Sequence, residues 1–152
     1  MSDELKLRAQ DQDPNSRQTP LGLFNILDGE FHFEIDIAAT KENSLRGVPP
    51  DNALAMDSWE EWKSIFCNPP YQPTSELTLW VARCSVESKL CKNKIVMLLP
   101  STTGARWFQH LVLGKAELRF INDRVSFGGG RPKWASIVVV FGGEPPFIAR
   151  HL

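Results

Sequence analysis

The stretch from Ile65 to Tyr71, IFCNPPY, has the residue types best suited to chemistry in this chain of 152 residues. A short apolar run leads directly into Asn68, Pro69, Pro70 and Tyr71. Each proline restricts the residue before it to extended geometry, lacks an N–H group and keeps its carbonyl oxygen as an acceptor. The Asn68 side-chain oxygen and a proline carbonyl therefore offer two acceptors at a fixed separation.

Two fixed acceptors suit the two hydrogens of a planar –NH₂ group, whose lone pair is otherwise delocalised. Accepting both hydrogen bonds makes the nitrogen a better nucleophile, and Tyr71 offers a flat face on which a flat substrate can stack. The pattern predicts a site that holds an aromatic amine for attack on an electrophile, with positioning and electrostatics supplying the rate. The alternative is a proline-rich turn that only ends a strand.

The residues before this stretch predict a helix and then a strand. Thr19 can cap a helix with Pro20 at its first position, and apolar residues at helical spacing run to Gly29, which ends it. The following EFHFEIDIAAT, residues 30–40, alternates apolar and polar residues as a strand does. That predicted strand contains Asp36 and stops at the small pair Ala38–Ala39.

The rest of the chain alternates predicted strands and helices. Strands are predicted over 64–67, 94–100, 116–121, 124–128 and 134–143, and helices over 74–93 and 104–114. This order predicts an α/β fold with a mainly parallel sheet flanked by helices. Residues 1–18 are polar and predict a flexible arm, so residues 19–152 form the single predicted domain.

Ligands of such sheets lie beyond the carboxyl ends of the strands, near a switch in strand order. Asp36 with Ala38–Ala39 follows one predicted strand, and Asn68 follows the next. We therefore expect an acid, a small-residue turn, an amide and an aromatic ring around one crevice. The alternative for Asp36 is a solvent-facing side chain on an alternating strand.

Composition excludes several other classes of protein. With 42% hydrophobic and 23% charged residues, the chain is expected to be globular. No apolar run reaches membrane-span length and the N-terminus lacks a signal-peptide core, so a cytoplasmic location is expected and no membrane partner. Three cysteines without CxxC spacing and three scattered histidines argue against a disulfide framework and against a metal site.

The net charge of −1 hides an uneven distribution. Residues 1–103 hold ten Lys/Arg and fifteen Asp/Glu, whereas residues 104–152 hold seven Lys/Arg and three Asp/Glu. The basic C-terminal part predicts contacts with phosphates, and the alternative is a solvated charged face. The candidate phosphate contacts are Arg106, Arg119, Arg124, Arg131 and Lys133, with Arg131 and Lys133 as first choices.

NPPY, together with the segments around it, resembles a known enzyme family. The motif is similar to that of amino-group methyltransferases that use S-adenosyl-L-methionine. The segments TPLGLF, FEIDIAATKEN, WKSIFCNPPY, KIVMLLPSTTGARWF, ELRFINDRVSFGG and ASIVVVF follow the order of the phage and prophage DNA N6-adenine methyltransferase (Dam-like) family. The resemblance covers most of residues 19–141, and NPPY is its specific part.

The resemblance implies a Rossmann-like methyltransferase domain that acts on DNA. It implies that Asn68 and the Pro69 carbonyl hold the adenine N6 amine of a flipped-out base, that Pro70 completes the motif and that Tyr71 stacks on the base. A phage or prophage gene acting in the cytoplasm of a bacterial host is implied as well. With no segment long enough for a separate target-recognition domain, a homodimer is a further expectation.

The resemblance also implies how S-adenosyl-L-methionine is bound. Thr19 and Pro20 resemble the N-terminal segment that contacts the cofactor, and Asp36, Ala38 and Ala39 resemble the cofactor loop. Alanines stand where larger methyltransferases have a glycine-rich loop. An acid after a second strand position holds the cofactor ribose or adenine in such enzymes, and the two candidates are Asp51, which is preferred, and Asp57.

Two alternatives stay open at this point. The same motif serves cytosine N4, RNA purine amines and protein glutamine amides, so the substrate amine is not fixed by the motif. A catalytically silent protein of the same fold, which binds cofactor or DNA without turnover, is the alternative of a different class.

Overall fold

The computed structural model describes residues 19–121, 135–145 and 147–152. Its two long helices are α1 (Leu21–Phe31) and α2 (Thr74–Leu90). Its strands are β1 (Ile35–Asp36), β2 (Ser64–Cys67), β3 (Lys94–Pro100), β4 (Glu117–Phe120), β5 (Ser136–Phe141) and β6 (Ala149–His151). A 3₁₀ turn spans Ala53–Ala55 and a π-helical turn spans Phe108–Val112. The predicted arm over 1–18 and the predicted strand over 124–128 lie outside the described residues.

The six strands form one sheet in the order β1-β2-β3-β5-β4-β6. The pairs β1–β2, β2–β3 and β4–β6 are parallel, whereas β5 is antiparallel to both of its neighbours. Five of the six strands therefore run in one direction and β5 alone runs in the other. The prediction of an α/β fold with a mainly parallel sheet is confirmed, and the arrangement is consistent with a Rossmann-like methyltransferase domain.

Both faces of the sheet are covered because neighbouring residues of each strand point to opposite faces. One face packs against α1, and its buried residues are Leu23, Phe24, Leu27, Phe33, Phe66, Val96, Leu98, Val138 and Val140. The other face packs against α2 and the π-helical turn through Ile65, Cys67, Ile95, Met97, Leu99, Ile137 and Val139. We call the first of these the α1 face.

The predicted boundary between the first helix and the first strand is wrong. The helix continues past Gly29 to Phe31 and ends at His32, whose φ of 51° is left-handed. Asp28 Oδ1 accepts a hydrogen bond of 2.8 Å from the Phe33 amide, which fixes the turn after the helix. The strand that was predicted to stop at Ala38–Ala39 is thereby reduced to Ile35–Asp36, because the residues before Ile35 belong to the helix and the turn after it.

The later elements are closer to prediction. Helix α2 begins at Thr74 and ends at Leu90, and its N-cap residue is Pro73. The helix predicted over 104–114 is a short helical segment that begins at Arg106 and widens into the π-helical turn. Strand β6 is absent from the prediction, since its three residues are all exposed and show no apolar alternation.

None of the helices in the described part of the chain combines the length and the apolar character that a membrane crossing requires.

Candidate active site

The carboxyl ends of β1 and β2 lie side by side. The two strands are parallel, with Ile35 opposite Ile65 and Asp36 opposite Phe66. Asn68 follows β2 after one more residue, so both strand ends open on the same edge of the sheet, as the sequence predicts. The expected switch in strand order is not at this point, because β1, β2 and β3 follow one another in chain order.

Strand alternation also gives the two polar side chains the same face. Ile35 and Ile37 are buried on the α2 side of the sheet, so Asp36 between them belongs to the α1 face. Asn68 follows Cys67, which is also on the α2 side, and its Nδ2 donates a hydrogen bond of 2.9 Å to Thr19 Oγ1. Thr19, which precedes α1, therefore contacts the residue predicted to hold the substrate amine.

The Asp36 carboxyl is buried at a cost. Its residue is 3% exposed, and its Oδ2 accepts a hydrogen bond of 3.0 Å from the Leu45 amide. Burial raises the pKa of Asp36 to about 6, and the Leu45 hydrogen bond opposes that shift only in part. The alternative that Asp36 faces solvent is therefore wrong. A cation bound near the ionised carboxylate would lower the free-energy cost of burying its charge.

The turn after β1 is compact and made of small residues. The Ala39 amide donates to the Asp36 carbonyl at 3.3 Å, and Ala38 and Ala39 are half-buried. The loop then returns to β1 at Gly47, where φ is +68°. A Cβ at Gly47 would lie 2.9 Å from Ile35 Cδ1, so only glycine lets the backbone pass this close to β1.

Tyr71 is anchored to the neighbouring strand. Its hydroxyl donates a hydrogen bond of 3.1 Å to the Leu98 carbonyl on β3, and the residue is 6% exposed. Pro69 is also buried, whereas Asn68 and Pro70 are half-buried. The loop is therefore fixed between β2 and β3. The stacking of a base on the Tyr71 ring stays a prediction.

Asp51 lies on the exposed loop between β1 and β2. Its side chain is 90% exposed and pairs with Lys41 at 3.5 Å. Residues 37–63 contain no strand, so Asp51 does not lie at the end of a strand. Asp57 is exposed as well. Cofactor binding by Asp51 or Asp57 stays a prediction.

The predicted phosphate contacts have separate outcomes. Arg106 is exposed and follows the carboxyl end of β3, which is at the same edge of the sheet as Asn68. Arg124, Arg131 and Lys133 lie outside the described residues. A phosphate contact by Arg119 is wrong, because its buried guanidinium is already bonded to the carboxylates of Glu30 and Glu117.

Within residues 19–121, 135–145 and 147–152, no group of three or more His, Cys, Asp or Glu side chains is arranged to hold a metal ion. The hydrogen-bond acceptors that the described residues offer at this edge include the Asp36 carboxyl, the Asn68 amide oxygen, the hydroxyls of Thr19 and Tyr71, and backbone carbonyls. Such groups accept hydrogen bonds and bind cations and amines.

The sequence also matches a known protein family. The family model for DNA N-6-adenine-methyltransferase (Dam) matches residues 6–138. The chain belongs to this family. A curated Dam-family relative, the DNA N-6-adenine-methyltransferase of Haemophilus phage HP1 (strain HP1c1), is 30% identical over 117 residues. That match covers 72% of this chain and 64% of the relative.

Two features of this Dam-family site were missed by the sequence argument. The hydrogen bond between Asn68 and Thr19 joins residues 49 positions apart, and no local pattern signals it. The Leu45 amide reaches Asp36 from a loop without periodicity. Of these residues, the sequence argument marked only Thr19 as part of the site, because the resemblance assigned it to the cofactor-contacting segment. It did not indicate the contact with Asn68.

Proposed function

We propose that this chain uses S-adenosyl-L-methionine to methylate the N6 amine of adenine in DNA, on a base turned out of the duplex. The observation that carries the proposal is the parallel pairing of β1 with β2, because it puts the strand ends that carry Asp36 and Asn68 at one edge of the sheet. Membership of the Dam family supports DNA adenine as the target.

The residues at the end of β1 fit the cofactor on chemical grounds. S-adenosyl-L-methionine carries an ammonium and a sulfonium group, and the pKa of the buried Asp36 carboxyl is raised to about 6. A cation beside this carboxylate offsets the cost of burying its charge. We assign the cofactor to Asp36, the small turn Ala38–Ala39 and the backbone of the Thr19–Pro20 segment. Asp51 is the candidate contact for its ribose.

The residues after β2 act on the substrate amine. The bound cofactor supplies a methyl group on a cationic sulfur, which is an electrophile. Asn68 Oδ1 and the Pro69 carbonyl oxygen accept hydrogen bonds from the two N–H groups of the adenine amine. These two bonds localise the lone pair on the nitrogen. Methyl transfer from the cofactor to this nitrogen would leave the amine with a surplus proton, which would pass to water. Pro70 and Tyr71 keep this loop rigid, and Tyr71 stacks on the base.

DNA contacts extend the site on the same edge of the sheet. The exposed Arg106 lies at that edge and is the proposed phosphate contact there. Arg124, Arg131 and Lys133, which lie outside the described residues, are further candidate phosphate contacts. A homodimer would enlarge a contact surface that one small domain provides only in part. The similarity to an enzyme of a Haemophilus phage supports action in the cytoplasm of a bacterial host by a phage or prophage product.

The direct test is to identify the product of the purified protein. The protein is incubated with S-adenosyl-L-methionine carrying a labelled methyl group and, separately, with DNA, RNA and a protein mixture. We expect label in DNA, recovered after digestion as N6-methyladenine by mass spectrometry. Asn68→Ala is the matched variant and should lose the product.

Other outcomes of this experiment replace the proposal by a named alternative. Label in N4-methylcytosine, in RNA or in protein glutamine would keep the chemistry and change the substrate. Cofactor binding without label in any polymer, with wild type and Asn68→Ala indistinguishable, would identify a silent binding protein.

A further inference from the structure

We propose that Thr19 is a positioning residue for the Asn68 amide: its hydroxyl accepts the Nδ2 hydrogen bond and directs the Oδ1 edge at the substrate amine. This inference rests on the proposed function, since it assumes that Asn68 receives the amine. It moves the main role of Thr19 from the cofactor, where the resemblance assigns it, to the acceptor that activates the nucleophile.

The chemistry needs one edge of the amide in one direction. The Asn68 side chain has an acceptor edge at Oδ1 and a donor edge at Nδ2, which are almost equal in shape. Only the acceptor edge can receive an N–H group of the substrate. With Oδ1 on the amine, the Nδ2 edge points away and needs an acceptor of its own, because a half-buried donor without a partner costs free energy.

Thr19 supplies that acceptor. Its Oγ1 lies 2.9 Å from Asn68 Nδ2, which is within the normal range for such a bond. The hydroxyl is also mounted on a rigid element. Pro20 follows it directly, and the Phe24 amide donates to the Pro20 carbonyl at 3.0 Å in the first turn of α1.

Helix α1 is in turn fixed to the sheet. Leu23, Phe24 and Leu27 are each at most 2% exposed, and they pack on the face to which Asp36 belongs. The position of the Thr19 hydroxyl is therefore set by the hydrophobic core and not by a flexible chain end. An acceptor held this way restrains the rotation of the Asn68 amide plane.

The same bond makes Asn68 a better acceptor. Hydrogen bonds in a chain polarise one another, so donation from Nδ2 to Thr19 increases the negative charge on Oδ1. The chain of bonds runs from the substrate N–H to Oδ1, through the amide, and from Nδ2 to Oγ1. Its effect is on the reacting nitrogen, so it changes the rate of methyl transfer more than the binding of the cofactor.

The test removes the hydroxyl without changing the shape of the side chain. Thr19→Val is isosteric, Thr19→Ala removes the bulk as well, and Thr19→Ser keeps the hydroxyl. The control is Thr78→Val, since the Thr78 hydroxyl only donates to the Thr74 carbonyl of its own helix. Methylation of DNA is measured as kcat and KM, and the Kd of S-adenosyl-L-methionine is measured by titration calorimetry.

We expect Thr19→Val and Thr19→Ala to lower kcat roughly ten- to fiftyfold, the effect of one lost hydrogen bond that acts on the reacting group. Thr19→Ser should restore kcat to within about threefold of the wild type, and the Kd of the cofactor should change by less than about threefold in every variant. Thr78→Val should match the wild type in both quantities.

Two results would overturn the inference. One is a Thr19→Val enzyme with unchanged kcat. The other is a Thr19→Val enzyme whose lower activity comes entirely from weaker cofactor binding, which would return Thr19 to the cofactor segment. Both differ from a failure of the proposed function, in which the wild type itself forms no N6-methyladenine.

Discussion

Two groups of polar side chains in the described part of the chain differ in how their charges are satisfied. One, which we call the Arg119 cluster, joins α1, β4 and β6 through Glu30, Glu117, Arg119 and Arg150. The other is the strand-end pair, Asp36 and Asn68. Both lie on or beside the sheet, but only in the Arg119 cluster are the charged side chains paired with partners of opposite charge.

The Arg119 cluster is electrostatically satisfied. The hydrogen bond from Arg119 holds the pKa of Glu30 below its ordinary value. Burial acts to lower the pKa of Arg119, but the hydrogen bonds to Glu30 and Glu117 outweigh it and raise that pKa. Glu30 and Arg119 therefore keep each other in their charged forms.

The strand-end pair shows the opposite balance. Burial raises the pKa of Asp36 to about 6, and one backbone amide offsets this only partly. A carboxylate held at a cost in the free protein favours a cationic ligand, whereas a carboxylate already paired with arginine has little to gain from one. From this contrast we predict that the Arg119 cluster contributes to stability, whereas the strand-end pair serves the proposed binding and chemistry. The following predictions test that division.

The largest effect on stability is expected from Arg119→Met. The substitution keeps the packing against the Phe31 ring but removes the charge between Glu30 and Glu117. Breaking a buried ion pair from one side typically costs 3–5 kcal/mol, and we expect about 3 kcal/mol because the Glu30 side chain is half-exposed. Urea denaturation measures the loss, and methylation per folded molecule should be unchanged.

Arg150→Met is the matched control in the same cluster. The Arg150 side chain is 48% exposed, so its bond to Glu117 should contribute less than about 1 kcal/mol. Equal losses from Arg119→Met and Arg150→Met would contradict the importance of burial. A large loss of activity in a folded Arg119→Met protein would contradict the division itself.

A smaller and pH-dependent effect is expected from Asp36→Asn. Between about pH 3.8, the ordinary pKa of the carboxyl, and about pH 6, Asp36 stays more protonated in the folded protein than in the unfolded chain. The folded wild type therefore loses stability as pH rises through this range. The stability of Asp36→Asn relative to the wild type should therefore rise by about 2 kcal/mol from about pH 4.5 to about pH 7.5.

Urea denaturation at both pH values, without ligand, measures this difference. Because the variant lacks the carboxylate, it should also bind S-adenosyl-L-methionine more weakly at neutral pH. A difference in stability that does not change with pH would mean that the Asp36 carboxyl carries no burial cost. In that case the contrast with the Arg119 cluster fails.

The smallest effect is expected from Tyr71→Phe. The substitution keeps the buried ring and removes the hydroxyl that donates to the Leu98 carbonyl. One hydrogen bond of this kind contributes about 1 kcal/mol to stability, and thermal denaturation should show that loss with kcat little changed. A large fall in kcat would show that the hydroxyl acts in the reaction and not only in fixing the loop.

The strand-end pair was predictable because the signals that define it are local. NPPY follows an apolar run, and Asp36 with its alanines follows an alternating run, so the two motifs could be assigned to strand ends before any coordinates. Parallel strands then bring their ends to one edge. The burial of Asp36 was not predictable from the alternation of residues in the strand. Alternation assigns a side chain to one face of the sheet but does not show which segments pack over that face.

The Arg119 cluster was not predictable from sequence. Glu30 and Arg119 are 89 residues apart, and only the position of β4 beside β5 and β6 brings the arginine to the end of α1. In the sequence, nothing distinguishes Arg119 from the other basic residues of the C-terminal part. The composition shows that basic residues outnumber acidic ones in this part of the chain. It cannot distinguish an exposed arginine such as Arg106 from a buried one such as Arg119.

The most direct measurement of the central claim is single-turnover methylation by Asn68→Ala, together with its affinity for S-adenosyl-L-methionine. We predict that the rate of N6-methyladenine formation falls roughly a hundred- to a thousandfold, as when one preorganised hydrogen-bonding group is removed from a reacting centre, while the Kd of the cofactor stays within about threefold. A variant that methylates adenine at the rate of the wild type would contradict the account.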